Sequence, residues 1–124
     1  MRLRLAFTRP AKLDLDELIA HIGEDNPVAA VTVATRIMDQ IRLLREQPEI
    51  GRKGRRAGTR ELVVDGTRDL VAYRIDAANS QIQILCILHT SRRWPRGDLR
   101  IIASAPEARG RGDMDVSGWG LQPL

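Results

Sequence analysis

Cysteine is almost missing from this chain, since Cys86 is the only one among 124 residues. A single cysteine excludes an internal disulfide, and no apolar run approaches the roughly 20 residues that a membrane span needs. Two histidines and one cysteine do not make a metal site, so the sequence predicts none. The segment from Gly51 to Gly58 lacks the Gly-Lys-Ser/Thr ending of a phosphate-binding loop, and no cofactor is predicted.

The first residues alternate basic and apolar side chains and contain neither a continuous apolar segment nor a small-residue cleavage site, so no signal peptide is expected. A lone cysteine fits a reducing compartment. With 43% hydrophobic and 29% charged residues, the composition is that of a globular domain. These features predict a soluble cytoplasmic protein without a membrane partner.

Lysine is also scarce: 18 of the 20 basic residues are arginine, and the two lysines are Lys12 and Lys53. The charge is unevenly distributed: residues 51–100 carry eleven basic and five acidic side chains, whereas the segments on either side are each slightly acidic. Guanidinium groups pair with two oxygens at once and therefore favour phosphate or carboxylate partners. Their concentration in one segment predicts a surface that binds an anionic macromolecule.

The periodicity of apolar residues predicts an α+β fold with the order β-α-α-β-β-β, a helical hairpin packed on one face of a small, mainly antiparallel sheet. Short turns between the last three strands predict an antiparallel meander, in which Ile82, Ile84, Cys86 and Leu88 share one face of the last strand. The predicted elements are a strand over residues 2–7, a first helix that opens at Thr8 or Pro10 and runs to residue 22, and a second helix from residue 27 to about residue 47. Strands are predicted over 60–64, 70–75 and 81–89.

We predict two segments along the chain. Residues 1–96 form the folded domain, and residues 97–124 form a C-terminal extension with a short edge strand followed by a flexible tail. A glycine- and arginine-rich loop, 51–58, separates the second helix from the meander, and its glycines predict irregular structure. The last strand leads into His89 and then into two arginines and Trp94, which brings cationic and aromatic groups to the sheet edge.

An ordered set of short motifs resembles the RelE/ParE family of toxins from type II toxin–antitoxin systems. The motifs are Pro-Glu-Ile-Gly-Arg at 48–52, Gly-Thr-Arg-Glu-Leu-Val-Val at 58–64, Leu-Val-Ala-Tyr-Arg-Ile at 70–75, Ile-Leu-Cys-Ile-Leu-His at 84–89 and Arg-Arg-Trp-Pro at 92–95. The resemblance implies the fold reached from periodicity. It also implies a basic protein, of a kind associated with plasmid stabilisation, that inhibits bacterial growth until a cognate antitoxin neutralises it.

The family resemblance implies two different chemistries. RelE-like members cut messenger RNA on the ribosome, which needs a base for the 2′-hydroxyl proton, an acid for the leaving oxygen and cations around the phosphate. In this chain Glu61 or His89 would be the base, and His89 the acid. The cations of a phosphate clamp would come from four arginines, namely Arg60, Arg74, Arg92 and Arg93.

ParE-like members instead poison DNA gyrase by binding it, and we favour this hypothesis for the present chain. Leu70 occupies the position where RelE-like nucleases resemble one another in having an arginine, and the chain has few lysines. The sequence thus leaves the chain's status as an enzyme open. A third hypothesis is an inactive family member that still binds a partner. The residues predicted to bind the target or the antitoxin are Arg52, Lys53, Arg55, Arg56, Arg60, Arg92, Arg93 and Trp94.

Each predicted site residue also has a structural interpretation. Glu61 pairs with a neighbouring arginine, His89 caps a strand end, and Trp94 covers the open end of the core. By resemblance, the antitoxin supplies a flexible segment that wraps the toxin. Two surfaces suit such a segment: the apolar groove along the helical hairpin and the basic rim formed by residues 52–60 and 92–93.

Overall fold

The computed structural model describes residues 3–67 and 69–89, Gly120 and residues 122–123. These residues form two helices and six strands. Both helices and four of the strands follow the predicted order, and the other two strands are short additions, one inside the glycine-rich loop and one near the C-terminus. The elements are β1 (Arg4–Phe7), α1 (Arg9–Asp25), α2 (Pro27–Leu43), β2 (Arg52–Lys53), β3 (Arg60–Val63), β4 (Asp69–Asp76), a 3₁₀ turn (Ala77–Asn79), β5 (Gln81–His89) and β6 (Gln122–Pro123).

Local capping explains where the helices begin. The Thr8 hydroxyl accepts a hydrogen bond from the Ala11 N–H at 3.1 Å and opens α1. Asn26 has two roles, since its N–H ends α1 on the Ile22 carbonyl and its side chain accepts from the Ala29 N–H to open α2. Pro27 follows at the first helical position, where its missing N–H has no cost.

The second helix ends at Leu43, earlier than the predicted Gln47. After it the chain tightens into bonds between residues three apart, such as Leu44 N–H to the Ile41 carbonyl at 3.0 Å. Pro48 disfavours helical geometry at the residue before it, which is why the last predicted turn of the helix unwinds. Leu44 remains fully buried under this turn.

The strands form one sheet in the order β2-β3-β4-β5-β1-β6. The meander from β3 to β5 is antiparallel, as predicted, whereas β1 lies parallel to β5 with Leu5 opposite Ile82. The predicted α+β class with a helical hairpin on a mainly antiparallel sheet is confirmed. The prediction of irregular structure throughout the glycine-rich loop is wrong for Arg52 and Lys53, which pair with β3.

The main core lies between the helical hairpin and one face of the sheet, with contributions from Leu18, Ile37 and Ile41 of the helices and from Tyr73 of β4. A β-bulge interrupts β5, because Ile84 pairs with Tyr73 whereas Cys86 pairs with Ala72. The extra residue reverses the alternation beyond it. Ile87, and not Cys86 or Leu88, therefore joins Ile82 and Ile84 in this core, unlike the face predicted from the sequence.

Thr8 joins α1 to the sheet beyond the end of β1. Its hydroxyl donates to the Leu85 carbonyl at 2.7 Å while accepting from Ala11, and the residue is fully buried. Thr8→Val keeps the shape but removes both bonds, so we expect a loss of about 1–3 kcal/mol of unfolding free energy. Urea denaturation measures this loss. Thr8→Ser retains the hydroxyl and is expected to stay much nearer the parent, and equal losses in both variants would contradict the role of the hydroxyl.

Candidate partner-binding site

The most basic stretch of the sequence folds into a defined hairpin, which we call the basic loop (residues 51–60). The backbone of Arg52 pairs with that of Glu61, the residue just after the loop, as β2 pairs with β3. Within the loop, the Gly54 N–H donates to the Thr59 carbonyl at 2.9 Å. A side chain at position 54 would collide with the Thr59 hydroxyl oxygen, which explains the glycine there. The loop is thus an ordered platform at the edge of the sheet.

The carboxylate of Glu61, in β3, fixes the conformation of the basic loop. One carboxylate oxygen accepts from Arg52 Nη2 at 3.3 Å, and the other accepts from the Arg55 backbone N–H at 3.1 Å and lies 3.4 Å from Arg55 Nε. The Glu61 side chain is only 3% exposed, whereas those of Arg52 and Arg55 are 63% and 47% exposed. A buried acid therefore fixes the loop while both guanidinium groups still face solvent.

A buried tyrosine fixes the start of the basic loop. The Tyr73 hydroxyl donates to the Pro48 carbonyl at 2.7 Å and accepts from the Gly51 N–H at 2.9 Å. Burial raises the pKa of Tyr73 above its usual value, an effect that the hydrogen bond from Gly51 partly opposes. A side-chain carbon on Gly51 would lie 2.6 Å from the tyrosine oxygen, so only glycine fits. Arg60 adds a bond from Nη1 to the Gly51 carbonyl at 2.8 Å.

Sequence reasoning missed Tyr73 and Gly51 as determinants of this site. The available signal was that Tyr73, the one tyrosine of the chain, stands in an otherwise apolar strand. A buried tyrosine usually finds a hydrogen-bond partner for its hydroxyl. That rule predicts a partner without identifying it, because Pro48 and Gly51 are more than twenty positions away in the chain.

Arg74 lies in a separate polar network on the other face of the sheet. Its Nη1 donates to the Gln83 side-chain oxygen at 2.6 Å, and the Gln83 amide in turn donates to Asp76 and Gln81. Arg60 pairs with Tyr73, the residue before Arg74, so the two arginines point to opposite faces. The structure does not combine Arg60 and Arg74 into one phosphate clamp.

The His89 backbone is separated along the sheet from Glu61 and Arg74. The His89 backbone pairs with Asp69, whereas Glu61 pairs with Ala72 of the same strand. The two pairs are therefore three residue steps apart in β4, about 10 Å along the sheet, and two strand spacings of about 4.8 Å lie across it. Arg74 is five residues, about 16 Å, from the end where His89 lies. Arg92, Arg93 and Trp94 lie outside the described residues, so their predicted roles stay predictions.

In the part of the chain that the structure describes, no three histidine, cysteine, aspartate or glutamate side chains are grouped so that they could hold an ion. Neither α1 nor α2 has the length and apolar character needed to cross a bilayer.

Comparison with known proteins gives a consistent family relationship. The sequence family described as the ParE toxin of the type II toxin–antitoxin system parDE matches residues 5–94. Y4kP of Sinorhizobium fredii (strain NBRC 101917 / NGR234), named as a candidate toxin, is 38% identical over 95 residues, which are 77% of this chain and 96% of Y4kP. The family match includes the whole helical hairpin and the basic loop.

Two solved structures are also similar. A chain of the chromosomal ParDE toxin–antitoxin system from P. aeruginosa superposes with a TM-score of 0.64 at 26% identity, over 71% of this chain and 96% of that one. A chain of the RelBE2 toxin–antitoxin complex from Mycobacterium tuberculosis gives a TM-score of 0.48 at 29% identity, over 72% of this chain and 99% of that one.

Proposed function

This chain belongs to the ParE family of toxins from type II toxin–antitoxin systems, and we propose that it inhibits growth by binding DNA gyrase through the basic loop. In this proposal the chain is a protein ligand of gyrase, and a cognate antitoxin neutralises it. One observation supports it most: a buried carboxylate, Glu61, is used to hold exposed guanidinium groups in place. An ordered, solvent-facing set of cations suits recognition of an acidic protein surface.

The same contacts argue against Glu61 as a catalytic base. Both of its oxygens already accept bonds from Arg52 and Arg55, and the side chain is buried away from any substrate that could approach. A general base must reach the proton that it abstracts, at about 2.6–3.2 Å. The separation of the His89 backbone from Glu61 and Arg74 along the sheet further disfavours one shared phosphate site, and so favours binding over messenger-RNA cleavage.

The proposed antitoxin would contact two surfaces of this chain. One is the basic loop, which calls for acidic side chains. The other is the helical hairpin, where Val28 and Val31 of α2 are 76% and 66% exposed one turn apart. An amphipathic segment with apolar residues on one face and acidic residues beside them would suit both. The similarity in fold to a chain of the ParDE toxin–antitoxin system of P. aeruginosa supports an antitoxin partner.

Lys53→Glu tests the proposed role of the basic loop without disturbing Glu61. Lys53 is exposed and opposes Arg60 across β2 and β3, so its replacement alters the surface charge and leaves the Glu61 contacts in place. We expect association with purified gyrase and with the antitoxin to slow roughly tenfold at low salt, with a smaller effect at high salt, because charge at a rim mainly steers encounter. Surface plasmon resonance at two salt concentrations measures this.

The matched control for gyrase binding is Arg42→Glu, which makes the same change of charge on the exposed side of α2. It is used with gyrase alone, because α2 belongs to the proposed antitoxin surface. It is expected to slow association much less than Lys53→Glu, and equal effects would remove the basic loop from the interface. Gyrase-dependent DNA breaks and messenger-RNA cleavage in a translation extract are measured beside binding. RNA cleavage without DNA breaks would favour the endoribonuclease hypothesis. Neither activity, with antitoxin binding retained, would favour an inactive partner-binding member.

A further inference from the structure

Both outer strands of the sheet are only two residues long, and they end the sheet in different ways. At one edge β2 presents Arg52 and Lys53, and such charges discourage pairing with another chain. At the other edge lies β6, Gln122–Pro123, which pairs with β1. The family match ends at residue 94, so β6 lies outside the family domain. Without β6, the outer edge of β1 would be the edge of the sheet.

The outer edge of β1 is divided between two neighbours. The N–H groups of Arg4 and Thr8 donate to Ser80 and Ile84, so those of Leu5 and Phe7 point outward. Leu3 is already bonded, since its N–H donates to the Arg45 carbonyl and its carbonyl accepts from Arg45 Nε. The backbone of Leu5 to Phe7 is therefore the part of this edge that another strand can pair with.

The register of β6 suits this part of the edge. Gln122 lies opposite Phe7, whose N–H points outward, and Pro123 lies opposite Ala6. In an antiparallel pair hydrogen-bonded and non-bonded positions alternate, so Phe7 and Gln122 form the bonded pair. Pro123 then falls where a residue would direct its N–H away from β1. Its missing donor costs β6 nothing on the inner side and denies a bond to any further strand on the outer side.

Gly120, two positions before Gln122, has an unusual backbone conformation. Gly120 has a φ of +68°, which residues with a side chain rarely adopt, and a carbon added there would lie 3.4 Å from Arg9 Cβ. The glycine thus turns the chain against the start of α1 just before β6 begins.

We propose that β6 acts as an intramolecular strand that occupies the β1 edge and competes with extended peptides from other molecules. The edge is an interaction surface for an extended backbone, and its occupant is the chain's own C-terminus. The inference uses only the sheet and the limits of the family domain, so it holds or fails independently of whether the toxin binds gyrase.

Gln122→Pro in the full chain tests the proposal, because it removes the N–H that faces Phe7. We expect the Phe7 amide to exchange with deuterium roughly tenfold faster or more, measured residue by residue by NMR. The Thr8 amide, which donates to Ile84, is expected to keep its rate and so reports an intact fold. Gln122→Ala keeps the backbone donor and is expected to behave like the parent. Gly120→Val, which disfavours the turn instead, is expected to speed Phe7 exchange independently.

A synthetic peptide of residues 118–124 then probes the vacated edge. Added to the Gln122→Pro variant, it is expected to bind and to restore slow exchange at Phe7, whereas the parent chain is expected not to bind it. Unchanged Phe7 exchange in both Gln122→Pro and Gly120→Val would overturn the proposal. Faster exchange that the peptide does not slow would overturn the claim that this edge accepts an extended segment from another molecule.

Discussion

Replacing Glu61 by glutamine is expected to release the basic loop and to make its arginines strongly sensitive to trypsin. The carboxylate accepts from the Arg52 guanidinium and from the Arg55 backbone N–H and forms an ion pair with the Arg55 guanidinium, and an amide can replace only one of its two acceptor oxygens. Because both arginines are largely exposed, water compensates them in part. The buried contacts still predict a cost of about 1–3 kcal/mol.

Such a cost raises the fraction of molecules in which the loop is unfolded roughly tenfold or more. The rate of limited proteolysis is proportional to this fraction when the loop opens and closes faster than trypsin cuts it. Mass spectrometry is expected to place the new cuts after Arg52, Lys53, Arg55 and Arg56. Glu46→Gln serves as the control, since Glu46 is an exposed acid between the C-terminal end of α2 and the basic loop. If Glu61→Gln resisted trypsin as well as this control, Glu61 would not be what orders the loop.

Tyr73→Phe is expected to lower stability more than any change on the surface of the basic loop. Removing one oxygen leaves the Pro48 carbonyl and the Gly51 N–H without the hydroxyl that joins them, beside a fully buried ring. Unsatisfied buried groups cost about 1–3 kcal/mol each, so the melting temperature is expected to fall by several degrees. Differential scanning calorimetry at pH 8 measures the change.

The alkaline pH dependence separates this hydroxyl from simple packing. The Tyr73 pKa is raised in the folded chain above the unfolded value of 10.0. Its contribution is therefore fully present below about pH 10 and is lost as the pH rises through the folded pKa. The melting temperatures of the parent and of Tyr73→Phe are expected to converge above pH 10. A constant difference from pH 8 to pH 11 would contradict the role of the neutral hydroxyl.

The parts of the fold that local patterns encode were predictable. The helix starts at Thr8 and Pro27 follow from capping, and the strands of the meander follow from their apolar runs and the turn at Gly66. The basic character of the loop was also visible. The bulge in β5 was not, because Leu85 and Cys86 are both apolar and period-2 counting gives no sign of an extra residue.

For the site, the sequence predicted which types of residue lie in it, but not which of them contact one another. Glu61 was assigned two roles, catalytic base and arginine partner, and the contacts in the structure favour the second. The opposite facing of Arg60 and Arg74 follows from the register of β3 on β4, which depends on pairing between distant segments.

The sequence alone determined the family, the α+β class and the single arginine-rich segment, because these depend on composition, periodicity and short motifs. Only the tertiary structure decided that a buried carboxylate and a buried phenol hold that segment in place, and that the C-terminus returns to the edge of β1. The physical reason is distance along the chain. Hydrogen bonds such as those of Tyr73, and the pairing of Phe7 with Gln122, join residues whose proximity no local pattern encodes.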